Sequence, residues 1–544
     1  MTNLEVAQAA KLQPIEEVAK KAGLESHEFE TLGRYKGKLT AEGVQRLTGS
    51  DSKAKLILVT AITPTLAGEG KTTVTVGLTQ GLNFIGKRAI SGTREPALGP
   101  IFGNKGGACG GGYSQVVPME DINLFFNGDF PAISAAHNLL SAMLDAHLHH
   151  GNALGIDARE SRWPRTVDMN DRALREMVIG LGGRTNGPTR ESGFVITPAS
   201  EVMAILCLSR NLEGLKERLG NILVGIGFDR KPRFARDLQA VGAMTALLRD
   251  AIRPNIVQNL EGGLALVHGG PFANIAHGCS SILSTECGLG LADYFVTEAG
   301  FASDLGAEKF LDILCPFIGR GPDAIVLVST VKALELHGNG DLGLGLENLK
   351  RHLKHLSHYG PPIVVAVNRF ASDSQESLDS IRLSCEELGV ACALSDPFNK
   401  GGEGCRELAQ AVVDASSQFS TFLPLYGPSD SVEAKLAAIC EKAYGGAGIT
   451  MSPSAKKELD WLTKNGFGNL PVCVAKTQYS LSDNPALTNA PEGFTVGVRE
   501  FRLSAGAGFI VAVCGDILLM PGLGKEPAAK LIDVDADGKI VGLF

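Results

Sequence analysis

A lysine stands directly behind two glycines in the run Thr63–Thr73, TPTLAGEGKTT. Gly68 and Gly70 let a backbone curl until successive N–H groups point inward at phosphate oxygens. Lys71 can bridge terminal phosphates, and the Thr72 hydroxyl can reach a magnesium ion. The chemistry of such a loop is nucleotide binding and phosphoryl transfer. The usual phosphate-loop pattern opens on a glycine where this chain has Thr65, so the match is partial. Thr65, Leu66, Ala67, Gly68, Glu69, Gly70, Lys71 and Thr72 are the candidate ATP-binding residues, and Thr72 is the candidate metal ligand. NAD fits less well, because the segment has no GxGxxG run. The plain alternative is a glycine-rich turn with a solvated lysine.

The second segment able to do chemistry is Arg94–Tyr113, REPALGPIFGNKGGACGGGY. Arg94 can fork onto a carboxylate or phosphate, and Lys105 adds a second cation. Glycines at 103, 106, 107, 110, 111 and 112 let the backbone pass close to a ligand or to a neighbouring helix. A turn-rich loop explains the same composition.

Three features imitate sites without completing them. His147, His149 and His150 lack a carboxylate or cysteine at a recognised metal spacing and read as a helix end. Asp533, Asp535 and Asp537 copy part of a calcium loop but lack its later acidic ligand. Cys109 reads as a small packed residue.

Both chemical segments need a scaffold. Lys55–Ile62 (KLILVTAI) reads as a buried strand and Val74–Ile85 as a helix, so the phosphate loop joins strand to helix as its chemistry requires. Further strands are expected at Pro322–Thr330, Pro362–Asn368, Val390–Leu394 and Gly508–Cys514. Helices are expected at Pro14–Leu24, Ala135–Leu148, Glu201–Leu219, Gln239–Ile252, Leu344–His355, Ser374–Leu388, Glu403–Ala415, Val432–Tyr444 and Ala455–Lys464. The alternation gives an α/β fold: a multi-domain chain built on a phosphate-loop parallel sheet, with additional smaller α/β domains. The expected boundaries are 1–355 for the nucleotide domain, 356–425 for a second α/β domain and 426–544 for a C-terminal one.

The whole-chain numbers agree. At 544 residues the chain exceeds one domain, and its net charge of −8 argues against a nucleic-acid binder. The 11 cysteines are scattered without a CxxC pair, which points to a reducing compartment. No apolar run reaches the roughly 18 residues of a spanning helix. The first thirty residues are acidic, unlike a targeting peptide. A cytoplasmic protein without membrane contact is expected. Glycine is the excess, at 66 residues.

The two segments together resemble the formate–tetrahydrofolate ligase family, and the likeness runs over nearly the whole chain. It includes HGNALGIDARESRW from His150, DMNDRALR from Asp168 and HGGPFANIAHGC from His268. It continues with VTEAGFASDLGAEKF from Val296, KGGEG from Lys400, AKTQYSLSD from Ala475 and MPGLG from Met520. The resemblance implies ATP-dependent joining of formate to tetrahydrofolate through formyl phosphate. It also implies magnesium with ATP, a monovalent cation activator (K+ or NH4+) and a homotetramer.

By the same resemblance Lys71 and Arg94 hold formyl phosphate, with Glu95 as a candidate orienter, so that the catalytic set is Lys71, Arg94 and Glu95. Phe370, in NRFASD, and Phe398, in DPFNKGGEG, match the two folate-stacking positions, the second commonly tryptophan in the family; core packing is the alternative for both. Phe301 and Asp304 are further candidates for seating the nucleotide, against a plain turn before a helix.

The chain also departs from the family. Leu124–Ile133 reads LFFNGDFPAI, with Phe125 and Pro131 where histidines are common and Asp129 kept. VITPASE, FASDLG and MPGLGK differ from the usual DITVASE, FGADLG and MPGLPK. Such changes leave two other readings open: an ATP-binding paralogue with weakened turnover, and a ligase for another small carboxylate.

Overall fold

The computed structural model describes residues 1–50, 52–103 and 109–543. Lys55–Ala61 forms a strand whose residues from Leu56 on are buried. Its β-branched and leucine run does not alternate with polar residues because both faces of the sheet are covered. Ile57 and Val59 pack with Val74, Leu78 and Leu82 of the helix Lys71–Phe84 and with Leu408 and Val412 of the helix Arg406–Ser416. Leu56 and Leu58 point the other way, into a second and larger core. Each such fully buried side chain contributes on the order of 1.5–3 kcal/mol.

Around this strand runs a parallel sheet in the order Leu264–Val267, Ala89–Thr93, Tyr294–Glu298, Lys55–Ala61, Ala324–Ser329, Ile363–Asn368 and Ala391–Ser395. Antiparallel strands Asn255–Asn259, Gly37–Leu39 and Phe29–Thr31 extend one side. Residues beyond 426 supply a separate four-stranded sheet ordered Gly448–Met451, Thr495–Ser504, Phe509–Cys514 and Val472–Ala475. The chain is thus mixed α/β, with one large mostly parallel sheet and several smaller ones.

The strands at Ile363–Asn368 and Ala391–Ser395 pair in parallel with Ala324–Ser329 and with each other. The boundary expected at residue 355 therefore falls inside a continuous sheet.

Several elements differ from the periodicity. The helix expected over Glu201–Leu219 is two, Glu201–Cys207 and Leu212–Gly220, because the Asn211 side chain caps a new start by accepting from Gly214 N–H. Both pieces bury an apolar face, so the pattern runs on across the break. The helix expected from Ala135 starts at Asp129, with Pro131 in its first turn, where proline costs no hydrogen bond. The stretch Val432–Tyr444 is α-helical only to Ala438 and continues as a wider π-helical turn to Tyr444. Among the described residues no helix is long and apolar enough to cross a membrane.

Candidate functional site

All parallel strands end on one edge of the sheet, and in open α/β folds ligands bind outside that edge. The central strand runs into Thr63, which three side chains clasp. Its N–H donates to His352 Nε2 at 2.9 Å, its carbonyl accepts from His337 Nε2 at 2.9 Å, and its hydroxyl oxygen accepts from Asn348 Nδ2 at 3.0 Å. The loop that follows is held from within. Thr65 N–H donates to Glu69 Oε1 at 2.6 Å, and the Thr330 hydroxyl donates to Glu69 Oε2. Asn368 Nδ2 donates to the Glu69 carbonyl at 3.0 Å. Glu69 thus ties its loop to the ends of two neighbouring strands, through its buried carboxylate at Thr330 and its main-chain carbonyl at Asn368.

Gly70 has φ +71°, the left-handed region, and a Cβ there would lie 2.6 Å from Asn368 Nδ2. Only glycine meets both conditions. It also starts the helix Lys71–Phe84 without any side-chain cap. The N-cap glycine offers no side chain to the first turn of this 14-residue helix, and the helix dipole favours an anion there. Thr72 Oγ1 donates to Glu298 Oε2 at 2.8 Å, and Glu298 is the buried last residue of the adjacent strand. A hydroxyl beside a carboxylate is an all-oxygen donor set, which suits magnesium.

Residues 64–73 line a cleft of about 450 Å³ together with Arg94, Glu95, Glu298, Phe301, Gln478 and Tyr479. Arg94 and Glu95 follow the strand Ala89–Thr93. Arg94 Nη1 donates to the Pro271 carbonyl at 3.1 Å, while Arg94 Nε is buried without a partner among the described residues. Glu95 is buried, and its Oε2 likewise has no partner among those residues. Burial pushes the Glu95 carboxyl well above its ordinary range; Asp129 adds to this and Lys38 opposes it.

The eight loop residues, Arg94, Glu95 and Phe301 are thus brought together. Asp304 is not among the cleft-lining residues: it is buried, and its Oδ2 accepts from Lys476 Nζ at 2.5 Å. Lys105, with Gly106 and Gly107, lies outside the described residues.

Phe370 and Phe398 stand two and three residues past adjacent parallel strands, whose last residues Asn368 and Ser395 are in register. They are 44% and 45% exposed, against the expectation for core residues. They sit along the same edge but outside the cleft lining. Gly112 has φ +56°, and a Cβ there would come within 2.0 Å of the Phe398 carbonyl. Tyr113 N–H donates to that same carbonyl at 2.9 Å. The end of the glycine-rich segment is therefore small because it lies directly against the turn that presents Phe398.

The residues at the family departures have plain surroundings. Phe125 is 68% exposed. The retained Asp129 is buried, accepting from Lys38 Nζ at 2.8 Å and from Asn255 Nδ2 at 2.7 Å. His147 Nε2 accepts from Leu154 N–H at 3.1 Å, which fits a helix end. Cys109 is buried, and burial raises its thiol far above the ordinary range.

Sequence reasoning missed Glu298, Thr330, Asn368, Gln478 and Tyr479. The first three end or directly follow apolar strands, a position readable once the sheet order is known. Gln478 and Tyr479 come from the distant C-terminal region, and only their presence in AKTQYSLSD marked them.

The edge can therefore hold a polyphosphate at an uncapped helix start, with an arginine beside it and two exposed aromatic rings farther along. A family model described as formate–tetrahydrofolate ligase matches residues 1–544, and the chain belongs to that family.

Proposed function

We propose that the cleft binds Mg-ATP and formate, forms formyl phosphate there, and passes the formyl group to tetrahydrofolate seated on Phe370 and Phe398. Family membership carries the overall reaction, an ATP-dependent ligation of formate to tetrahydrofolate. The observation behind the finer reading is the uncapped helix start at Gly70 sharing one cleft with Arg94.

Formate is a poor electrophile because its carboxylate is anionic. In the first step a formate oxygen attacks the γ-phosphorus, and the bond to the bridging oxygen of ADP breaks. The protein's task is charge neutralisation and in-line positioning. The N–H groups at the start of the helix and the Lys71 ammonium take the phosphate oxygens. Thr72, with Glu298 behind it, would hold magnesium, which would supply neutralisation of the phosphate charge. The half-buried Arg94, whose Nε has no partner among the described residues, faces formate and then formyl phosphate.

In the second step the folate amine attacks the formyl carbon, phosphate leaves, and the amine proton departs with it. Arg94 and backbone N–H groups stabilise the oxyanion that develops. Glu95 Oε2, which has no partner among the described residues, would suit the monovalent cation activator, because a buried carboxylate oxygen needs a positive partner. The exposed phenyl faces of Phe370 and Phe398 suit a flat pterin. A homotetramer belongs to the same reading.

The test is one assay on purified protein. ATP, magnesium, potassium, formate and tetrahydrofolate are mixed and quenched in acid, and the methenyl-folate absorbance is read with each component omitted in turn. Signal that needs all three substrates is expected. A folded, nucleotide-binding protein without signal would refute the reading, and signal with acetate instead of formate would redirect it to another carboxylate.

A further inference from the structure

The C-terminal region reaches the nucleotide cleft through one short segment, and a single buried cation organises it. Lys476 follows the strand Val472–Ala475 and is fully buried. Its ammonium donates to Asp304 Oδ2 at 2.5 Å, to the Ser480 carbonyl at 2.6 Å and to the Thr477 carbonyl at 3.3 Å. It also lies 4.9 Å from the centre of the Tyr444 ring. Burial by itself pushes the Asp304 carboxyl up, but the charge and hydrogen bond of Lys476, with His352 and His355 beside it, together outweigh this and hold it below its usual range.

The chain from 477 to 480 is thus wrapped around one ammonium group. The carbonyls of Thr477 and Ser480 turn inward. The two residues between them, Gln478 and Tyr479, are half-buried and line the cleft with residues 64–73 and Arg94. The wrap is closed behind by Ser480, whose hydroxyl donates to the Leu487 carbonyl at 2.5 Å and accepts from Ser482 N–H at 3.0 Å. On the other side of the pair, Asp304 lies three residues after Phe301, which lines the same cleft.

A buried ion pair is a weak source of stability, because removing both charges from water costs about as much as their attraction returns. What this pair does accomplish is register. It fixes the distance between the π-helical segment Ser303–Ala307, which follows a strand of the main sheet, and a loop from the C-terminal sheet, at the place where the two meet over a cleft.

We infer that Asp304 and Lys476 are a positioning pair, and that the side chains they hold in place, Gln478 and Tyr479, contact the nucleotide. The nucleotide is favoured over the folate because the cleft contains the phosphate loop and Arg94, whereas Phe370 and Phe398 lie outside its lining. The inference rests on the nucleotide reading given under Proposed function.

The test measures equilibrium binding of a non-hydrolysable ATP analogue with magnesium, by calorimetry, with neither formate nor tetrahydrofolate present. Steady-state KM values for ATP and tetrahydrofolate are taken in parallel. Gln478→Ala and Tyr479→Ala change half-buried side chains and are each expected to weaken analogue binding about tenfold, the worth of one well-placed contact. Their KM for tetrahydrofolate stays within about twofold. Asp304→Glu keeps the charge on a longer arm; it is expected to raise the KM for ATP several-fold and spare that for tetrahydrofolate, which a purely structural pair would not do. Asp304→Asn strands the lysine and lowers the melting temperature as well.

Analogue affinity within twofold of wild type in both alanine variants overturns the inference. So does an effect confined to the tetrahydrofolate KM. Wild-type protein that fails to bind the analogue overturns the nucleotide reading itself, an outcome distinct from normal wild-type binding with indifferent variants.

Discussion

Replacing Glu69 by alanine removes the buried carboxylate that holds the 65–70 loop and leaves the backbone of the cleft-lining residues in place. Its carboxylate accepts from Thr65 N–H at 2.6 Å and from the Thr330 hydroxyl, and it is buried. A hydrogen bond to a charged group contributes about 1.5–3 kcal/mol. Two are lost, but the cost of burying the charge disappears with them, and the exposed Leu66–Gly68 stretch lets water reach part of the loop. A net loss of about 3 kcal/mol follows, shared between folding and loop shape. If half of it is what keeps the loop curled for phosphate, Mg-ATP affinity falls about tenfold.

Glu69→Gln keeps an acceptor for Thr65 N–H and should lose less on both counts. Denaturant unfolding gives the stability change, and calorimetry with an ATP analogue gives the binding change. Unchanged stability and binding within twofold for Glu69→Ala would show that the loop holds its shape without the carboxylate. Unchanged stability with abolished binding would place the carboxylate on the ligand instead, and the argument from geometry would be wrong.

Thr72→Ala and Glu298→Gln should each raise the magnesium concentration needed for half-maximal activity about tenfold, since each weakens one oxygen donor set; a magnesium titration at fixed ATP checks this, and an unchanged midpoint counts against the metal assignment. Phe370→Ala and Phe398→Ala should each raise the KM for tetrahydrofolate several-fold through lost stacking, with the KM for ATP unchanged; Phe398→Trp should lower it.

His352 must stay neutral, because its Nε2 accepts from Thr63 N–H while its Nδ1 bonds Ser303 Oγ at 2.7 Å. Burial lowers its pKa from 6.5 to about 4. The unfolded chain therefore takes the proton first. The stability this histidine contributes is complete above about pH 6.5 and is lost as pH falls toward 4, to the extent of about 3 kcal/mol. His352→Gln should show a stability profile less steep across that window in denaturant unfolding; parallel profiles would refute the assignment.

The strand, loop and helix around Lys71 were legible because each is a local pattern. An apolar β-branched run buried on both faces, glycines at a sharp turn and a helical period need no distant partner to be recognised. The residue types of Thr63–Thr73 likewise marked it as a loop between strand and helix. Asp304 shows where local reading stops. Its carboxylate lies near the candidate nucleotide residues in sequence, yet it faces Lys476, 172 residues away. The helix expected over Glu201–Leu219 failed for a related reason: periodicity reports which face is buried, not whether the backbone is continuous, and Asn211 caps a new start in the middle.

Composition and motif thus determined, by themselves, an α/β chain with a strand, glycine-rich loop and helix in sequence and, through long family-like runs, the reaction class. Tertiary structure alone decided which strand ends stand side by side. That order brings Glu298 to Thr72, Asn368 to the Glu69 carbonyl, and the strand ends before Phe370 and Phe398 into register. The physical reason is that a parallel sheet joins residues far apart in sequence through crossovers, and nothing in a local stretch of chain encodes which strand will be its neighbour.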